Sequence, residues 1–277
     1  MSSLRRILLC AWASGAALWA QPVPDAQEII EKAFEASERN EKIEQQYTGN
    51  ERVEERKLDK DGAVKETESK TFELLYLFGE EYRKLIAKDG EPLPPDEAAK
   101  ERKKLDKAYA ERADESPKER ERRLEKQRKD EEEEREFRAE IVKAFDFTLA
   151  GEETVAGRRC WIIDGLPRSG YEPSISKAKF LQKIRGRAWI SQDDYNWVRA
   201  EVETIDNASF GGFIVKLKEG AKLDFTQSYV NDEVWLPTSF RLRFEAKLVL
   251  LKGLRREIDV RWSDFRKFQA ESTLIAQ

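Results

Sequence analysis

The stretch 186-GRAWISQDDYNWVRAEVE-203 decides the fold. Two runs of strand character flank a polar turn that opens on Gln192, Asp193 and Asp194. Paired carboxylates do general acid–base work when their surroundings split the two pKa values. Asp and Asn are also ordinary turn residues, because their side chains bond the backbone two positions on and tolerate left-handed φ. Asp193-Asp194-Tyr195-Asn196 lies between two strand-like runs, so the turn reading needs no chemistry and is preferred. Ile184 to Ser191 then pairs with Trp197 to Ile205 as an antiparallel hairpin.

Working outward, the same pattern recurs in both directions. Towards the C-terminus, Phe213 to Lys218 and Lys222 to Val230 are separated by Glu219-Gly220, Asn231-Asp232 turns into Glu233 to Leu250, and Leu254 to Phe268 closes the sheet. Asn207 to Phe213, with Gly211-Gly212, reads as a strand connection. Leu223, Phe225, Gln227 and Tyr229 alternate with polar neighbours, as do Phe240, Leu242 and Phe244, and Ile258, Val260 and Trp262. Period-two alternation of this kind puts one face on a core and the other in water, which marks an antiparallel sheet. Towards the N-terminus, Phe147 to Thr154 and Arg158 to Gly165 form a hairpin about Val155-Ala156-Gly157, and Ser174 to Gln182 reads as a short helix. Residues 43 to 58, Val64 to Phe78 and Tyr82 to Ala87 are further strands.

Two helical segments interrupt the strands. Pro24 to Arg39 carries Ile29, Ile30, Ala33 and Phe34 at helical spacing, with Asp25 as N-cap. From Pro94 to Glu136 large apolar residues are scarce. Ser116-Pro117-Lys118-Glu119 is a capping box with proline at the first helical position. A helix from there to Phe145 would be roughly 43 Å long at 1.5 Å per residue. Residues 94 to 145 therefore read as a charged helical hairpin that projects from the sheet or lies lightly on it. Its acidic run Asp130 to Glu134 follows a basic stretch, Arg120 to Lys129, and reads as a solvated face.

Composition bounds the function. Charged residues are 38% of the 277, yet the net charge is only -4, so a basic excess of the sort nucleic acid requires is missing. There are no histidines, which removes the commonest general base and metal ligand together. The first twenty residues, MSSLRRILLCAWASGAALWA, have the basic start and small-residue apolar run of a secretory signal peptide, cut near Ala20. Cys10 lies too early in that run, and without small residues before it, to be a lipoprotein anchor. Cys160 lies in a strand and reads as a small buried apolar residue. Asp59, Asp61 and Gly62 form a turn rather than a calcium loop. No metal, cofactor or covalent chemistry is expected.

The aromatics are the suggestive set. Trp161, Trp189, Trp197, Trp235 and Trp262 all fall on expected strands. A curved sheet with one or two helices to cover it has more apolar inner surface than those helices fill. Such a surface can hold an acyl chain at about 0.8 kcal/mol per buried CH₂. The candidate ligand-binding residues are Trp189, Phe213, Val215, Leu223, Phe225, Tyr229, Phe240, Leu242, Phe244 and Trp262.

Gly186-Arg-Ala-Trp-Ile-Ser191, the acidic turn, Trp197-Val-Arg-Ala-Glu201 and Trp235-Leu-Pro-Thr238 resemble the LolA/LolB-like superfamily of periplasmic lipoprotein carriers. Arg199 and Glu201 occupy the Arg–x–Glu pair of that family's late hairpins. The resemblance spans about residues 25 to 88 and 146 to 268, and the charged hairpin departs from it. It implies an α+β fold: a large curved antiparallel sheet, or half-open β-barrel, with an N-terminal helix and the inserted helical hairpin, as a single domain over residues 21 to 277. It also implies a periplasmic location and a lipid or acylated lipoprotein as ligand. The rival expectation is an interaction or sensor module that docks a membrane-associated protein on the 94 to 145 hairpin.

Overall fold

The structure is a computed structural model and describes residues 24–210, 215–248 and 251–268. The expected leader, Phe213 and Gly211-Gly212 lie outside the described residues. Helix α1 (Ala26–Glu44) starts at Asp25, whose carboxylate accepts from the backbone N–H of Gln27 at 2.8 Å and of Glu28 at 3.3 Å. It runs past the expected end at Arg39, and the strand expected from Ile43 begins instead at Tyr47. The reason is periodic. Asn40 and Ile43 continue the 3–4 spacing of Ile29, Ala33 and Ala36, so two further residues of the same stripe find partners on the sheet.

Four strands follow: β1 (Tyr47–Leu58), β2 (Val64–Leu77), β3 (Glu80–Lys88) and the two-residue β4 (Glu91–Pro92). Then come helices α2 (Pro95–Ala113) and α3 (Pro117–Ala144). Strands β5 (Phe145–Val155) and β6 (Arg158–Pro167) lead to a 3-10 helix (Ser176–Lys183), where an ordinary short helix was expected. The rest are β7 (Ile184–Ser191), β8 (Trp197–Thr204), β9 (Ala208–Phe210), β10 (Val215–Leu217), β11 (Lys222–Val230), β12 (Val234–Leu248) and β13 (Leu251–Lys267). Residues 208–210, expected as connection, are a strand: β9 pairs β10, which pairs the far end of β12.

All thirteen strands belong to one antiparallel sheet, whose main path runs β4-β3-β2-β1-β13-β12-β11-β8-β7-β6-β5. Almost every step is a hairpin neighbour, and the long step brings β1 beside β13, Val53 opposite Val260. Strands β4 and β5 lie at opposite ends of the path, so the sheet is open: a curved half-barrel rather than a closed one.

One face of the sheet carries α1. Ile29, Ile30 and Ala33 pack on Trp161, Ile163, Ala188 and Ile190, with Phe147 and Leu149 of β5 beside them. Full burial of each isoleucine stabilises by about 1.5–3 kcal/mol, and Ile29 and Ile30 are essentially inaccessible. Further along, Ile43 joins Tyr47, Val234, Leu236 and Phe265. The helix thus crosses from β5 to the start of β12. We call this side the inner face.

The α2–α3 hairpin is capped as expected. Ser116 Oγ accepts from the Glu119 N–H, and Glu119 accepts from the Ser116 N–H. Helix α2 buries no residue, and α3 buries only Glu140 and Ala144, both in its last turns. Contacts with the sheet are sparse: the Tyr109 ring meets Phe78 at 5.3 Å, and Arg112 pairs with Glu80. Near its C-terminal end α3 meets α1, where Arg138 pairs with Glu38 at 2.9 Å and Glu41 at 3.2 Å.

Candidate functional site: the inner apolar face

The opening hairpin is a structural joint. Asp194 accepts from the Asn196 N–H at 3.1 Å and from the indole N–H of Trp235 at 2.7 Å, tying the β7–β8 turn to β12. Asp193 pairs with Arg158 at 3.3 Å, and Tyr195 takes the left-handed φ of 62° that closes the turn. The two carboxylates therefore have separate structural partners. Asp59 behaves likewise, accepting from Asp61 and Ala63 N–H at 2.9 Å while Gly62 turns with φ 88°. Cys160 is fully buried, and burial pushes its thiol above the ordinary range.

The two faces of the sheet differ as the alternation requires. On the outer face Arg187 grips Asp164 at 2.6 and 2.8 Å, Arg199 pairs with Glu201, and Asp259 takes both Arg241 and Arg261. On the inner face the registers line up apolar rows. One row is Ala200, Phe225, Phe240, Val260 and Val53; a second is Val202, Leu223, Leu242 and Ile258. The first row crosses four strand gaps from β8 to β1, roughly 19 Å, and the second three gaps from β8 to β13, roughly 14 Å. Trp262 and Phe72 continue the surface beyond Val260 and Val53, and Phe244 extends it along β12.

These rows are where the helices are not. The helices pack elsewhere: α1 on β5 and β12, α2 on β3, α3 on β5 and the 3-10 helix. None of the four buried clusters contains Leu223, Phe225, Phe240, Leu242, Phe244 or Ile258, and each of these is half-buried.

The expected residues separate into groups. Leu223, Phe225, Phe240, Leu242, Phe244 and Trp262 share the inner face. Trp189 and Tyr229 lie on the outer one. Ala188 and Ile190 face α1, so Trp189 between them points away, into a cluster with Cys160, Val198 and Trp235. Its indole N–H donates to Glu153 at 2.7 Å, and Arg199 lies over its ring. Beyond the register shift at Thr226/Gln227, Tyr229 comes opposite Trp235 and packs with it instead of continuing the Phe225 row. Arg158 covers its ring at 4.4 Å. For Val215 only the backbone, in β10, is described, and Phe213 lies outside the described residues.

A cavity of about 180 Å³ lies where the apolar surface meets the end of α1. That is the size class of an engineered cavity, roughly 150 Å³, that admits benzene. Its lining combines Tyr47, Tyr76 and Trp262 with three carboxylates, Glu44, Glu51 and Glu81. Gly49 forms part of the wall, where a Cβ would come within 3.0 Å of Ser263 O and of the Phe265 ring. Burial, and then the nearby Glu41 and Glu81, push the Glu44 carboxyl up to about 7. Burial and then Glu51 raise Glu81 as well. The Tyr76 hydroxyl is pushed up to about 12 by burial and by Glu44 and Glu81. Glu51 forms an ion pair with Arg83, whose charge also partly offsets the rise at Glu81. None of these acids stands out in the sequence, because they come from α1, β1 and β3 and meet only through strand pairing.

Among the described residues no group of acidic or cysteine side chains has an arrangement that could hold a metal ion. No described helix is long and apolar enough to cross a membrane.

No family model matches the chain, and no curated protein matches it. Solved structures do. A DUF1329 family protein from Desulfovibrio piger is 14% identical, with 90% of this chain and 96% of that chain covered and a TM-score of 0.32. A putative outer membrane lipoprotein-sorting protein domain from Vibrio parahaemolyticus is 13% identical, over 90% and 96%, at 0.34. The LolA superfamily protein NE2245 from Nitrosomonas europaea is 11% identical, over 89% and 95%, at 0.29. The architecture stands on the strand order and registers given above.

Proposed function

We propose that this protein is an exported carrier that holds an apolar, acyl-chain ligand on the inner face of its half-barrel, without covalent chemistry. The observation that carries the reading is the pair of in-register rows, Ala200 to Val53 and Val202 to Ile258, that no buried cluster includes. Aliphatic and aromatic groups in such a strip gain about 25 cal/mol for each Å² they remove from water. Contacts of this kind are nondirectional, which suits uptake and release. Lipid or acylated lipoprotein is the ligand class, and the periplasm is the location. Native mass spectrometry of the purified protein tests this: co-purified lipid, lost in Phe225→Asp/Phe240→Asp, is the expected result. Protein free of lipid that also fails to take up fatty acid overturns it.

A second reading has one observation in its favour. The α2–α3 hairpin buries no residue from Pro95 to Glu136, so that length of helix serves no core. As a docking arm it would engage a membrane-associated protein. Replacing residues 96–136 by a short Gly/Ser linker would abolish a partner's binding while leaving lipid uptake unchanged.

A further inference from the structure

We infer that the ligand carries an organic ammonium head, which sits in the cavity at the end of α1 while its chain lies along the inner apolar rows. The inference rests on the carrier reading and deepens it. Trp262 joins the two parts. It lines the cavity and stands two residues along β13, on the same face, from Val260 of the apolar row.

Three features select a cation. First, carboxylates converge from three elements, Glu44 of α1, Glu51 of β1 and Glu81 of β3, against a single guanidinium, that of Arg83 on Glu51. Glu44 and Glu81 form no ion pair with any described residue. Second, aromatic rings of Tyr76, Trp262 and Phe265 line the same space. Ring faces attract an ammonium, and quaternary ammonium groups are recognised in aromatic cages. Third, α1 ends at Glu44, so the partial negative charge at a helix C-terminus falls at the cavity. A carboxylate or phosphate head would meet all three as repulsion.

The charge of Glu44 makes the selection pH-dependent. The groups around it are Glu41 on its own helix, Glu81 of β3 and the Tyr76 hydroxyl of β2. Beyond them lies the Glu51–Arg83 pair. A bound ammonium favours the ionised carboxylate, so affinity for a cation rises from pH 6 to pH 8.

The test is calorimetric titration of the full protein with dodecyltrimethylammonium and with dodecanoate, both below their micelle concentrations. Tetramethylammonium and a peptide blocked at its N-terminus but with a free lysine ε-ammonium serve as head-only probes, and the peptide stands for a protein source of the ammonium. The expected result is that the alkylammonium binds at least about tenfold tighter than dodecanoate. That preference shrinks in Glu44→Gln and in Glu81→Gln, and the rise with pH flattens in Glu44→Gln. Equal affinities for the two chains, unchanged in both variants, overturn the ammonium head and leave the carrier standing. If neither chain binds, the ammonium head and the carrier reading are both overturned. A lysine peptide binding as tightly as the alkylammonium overturns the amphiphile in favour of a peptide ligand. Circular dichroism of each variant confirms that the sheet is intact.

Discussion

Asn40 and Trp235, 195 residues apart, hold each other by two buried hydrogen bonds. The Asn40 amide donates to the Trp235 carbonyl at 2.7 Å, and the Trp235 N–H donates to the Asn40 side-chain oxygen at 2.8 Å. One primary amide thus satisfies both backbone groups of a strand residue that has to pass beneath a helix. It is the polar pin between α1 and β12, flanked by the apolar contacts of Ile43 with Val234 and Leu236.

Asn40→Ala leaves that N–H and that carbonyl buried without partners. Each such group costs about 1–3 kcal/mol. Urea unfolding is expected to show a loss of at least about 2 kcal/mol. Hydrogen exchange at the Trp235 amide is expected to rise more than at Val198. A change within error at both would refute the pin.

Glu140 is a buried carboxylate with full compensation. Burial by itself would raise its pKa. The Tyr171 hydroxyl at 2.5 Å, the Ser174 N–H at 2.9 Å and Lys143 at 3.1 Å outweigh burial and hold it down to about 2. The depressed folded value means that the stabilisation is present above the ordinary carboxylate pKa and is lost as pH falls towards 2. Glu140→Gln is expected to lose about 2 kcal/mol at pH 7 and to show a flatter stability profile between pH 5 and 2. An unchanged acid profile contradicts this.

Glu44 works in the opposite sense. Its folded value of about 7 lies above the unfolded one, so its favourable contribution is complete below the ordinary carboxylate pKa and is lost as pH rises through 7. Glu44→Gln is therefore expected to be more stable than the parent at pH 8, by about 1–2 kcal/mol after allowance for solvent screening. At pH 4 the two match. Thermal melts across that range give the comparison, and a variant less stable at pH 8 counts against an uncompensated acid.

Phe225 and Phe240 of the inner face are half-buried in the chain alone, so truncation there should weaken binding more than folding. Phe225→Ala with Phe240→Ala is expected to reduce uptake of a fluorescent fatty acid by at least about tenfold, since each ring removes apolar area from the ligand's contact. Trp189→Phe, on the outer face, is expected to leave uptake unchanged. Equal losses in the two would show that the outer face takes part.

Much of this protein is local and is readable along the chain. The caps at Asp25 and Ser116 bond neighbours three residues away or fewer, and the hairpins at Asp59 and Asp193-Asp194 turn on their own side chains. Period-two alternation at Phe240, Leu242 and Phe244 placed that strand's inner face correctly. The charged hairpin showed itself by lacking anything to bury. What tertiary structure decided is whatever depends on which strand lies beside which. Alternation says that Trp189 and Ala188 point opposite ways, but only α1 seated on Ala188 says which way is in. At the register shift at Thr226/Gln227, where β12 has one residue more than β11, Tyr229 comes opposite Trp235 and packs with it on the outer face, which the alternation along β11 does not tell. Glu44, Glu51 and Glu81 are unremarkable in separate segments, and only the pairing of β1 with β2, and of β2 with β3, beneath the end of α1 gathers them around one cavity.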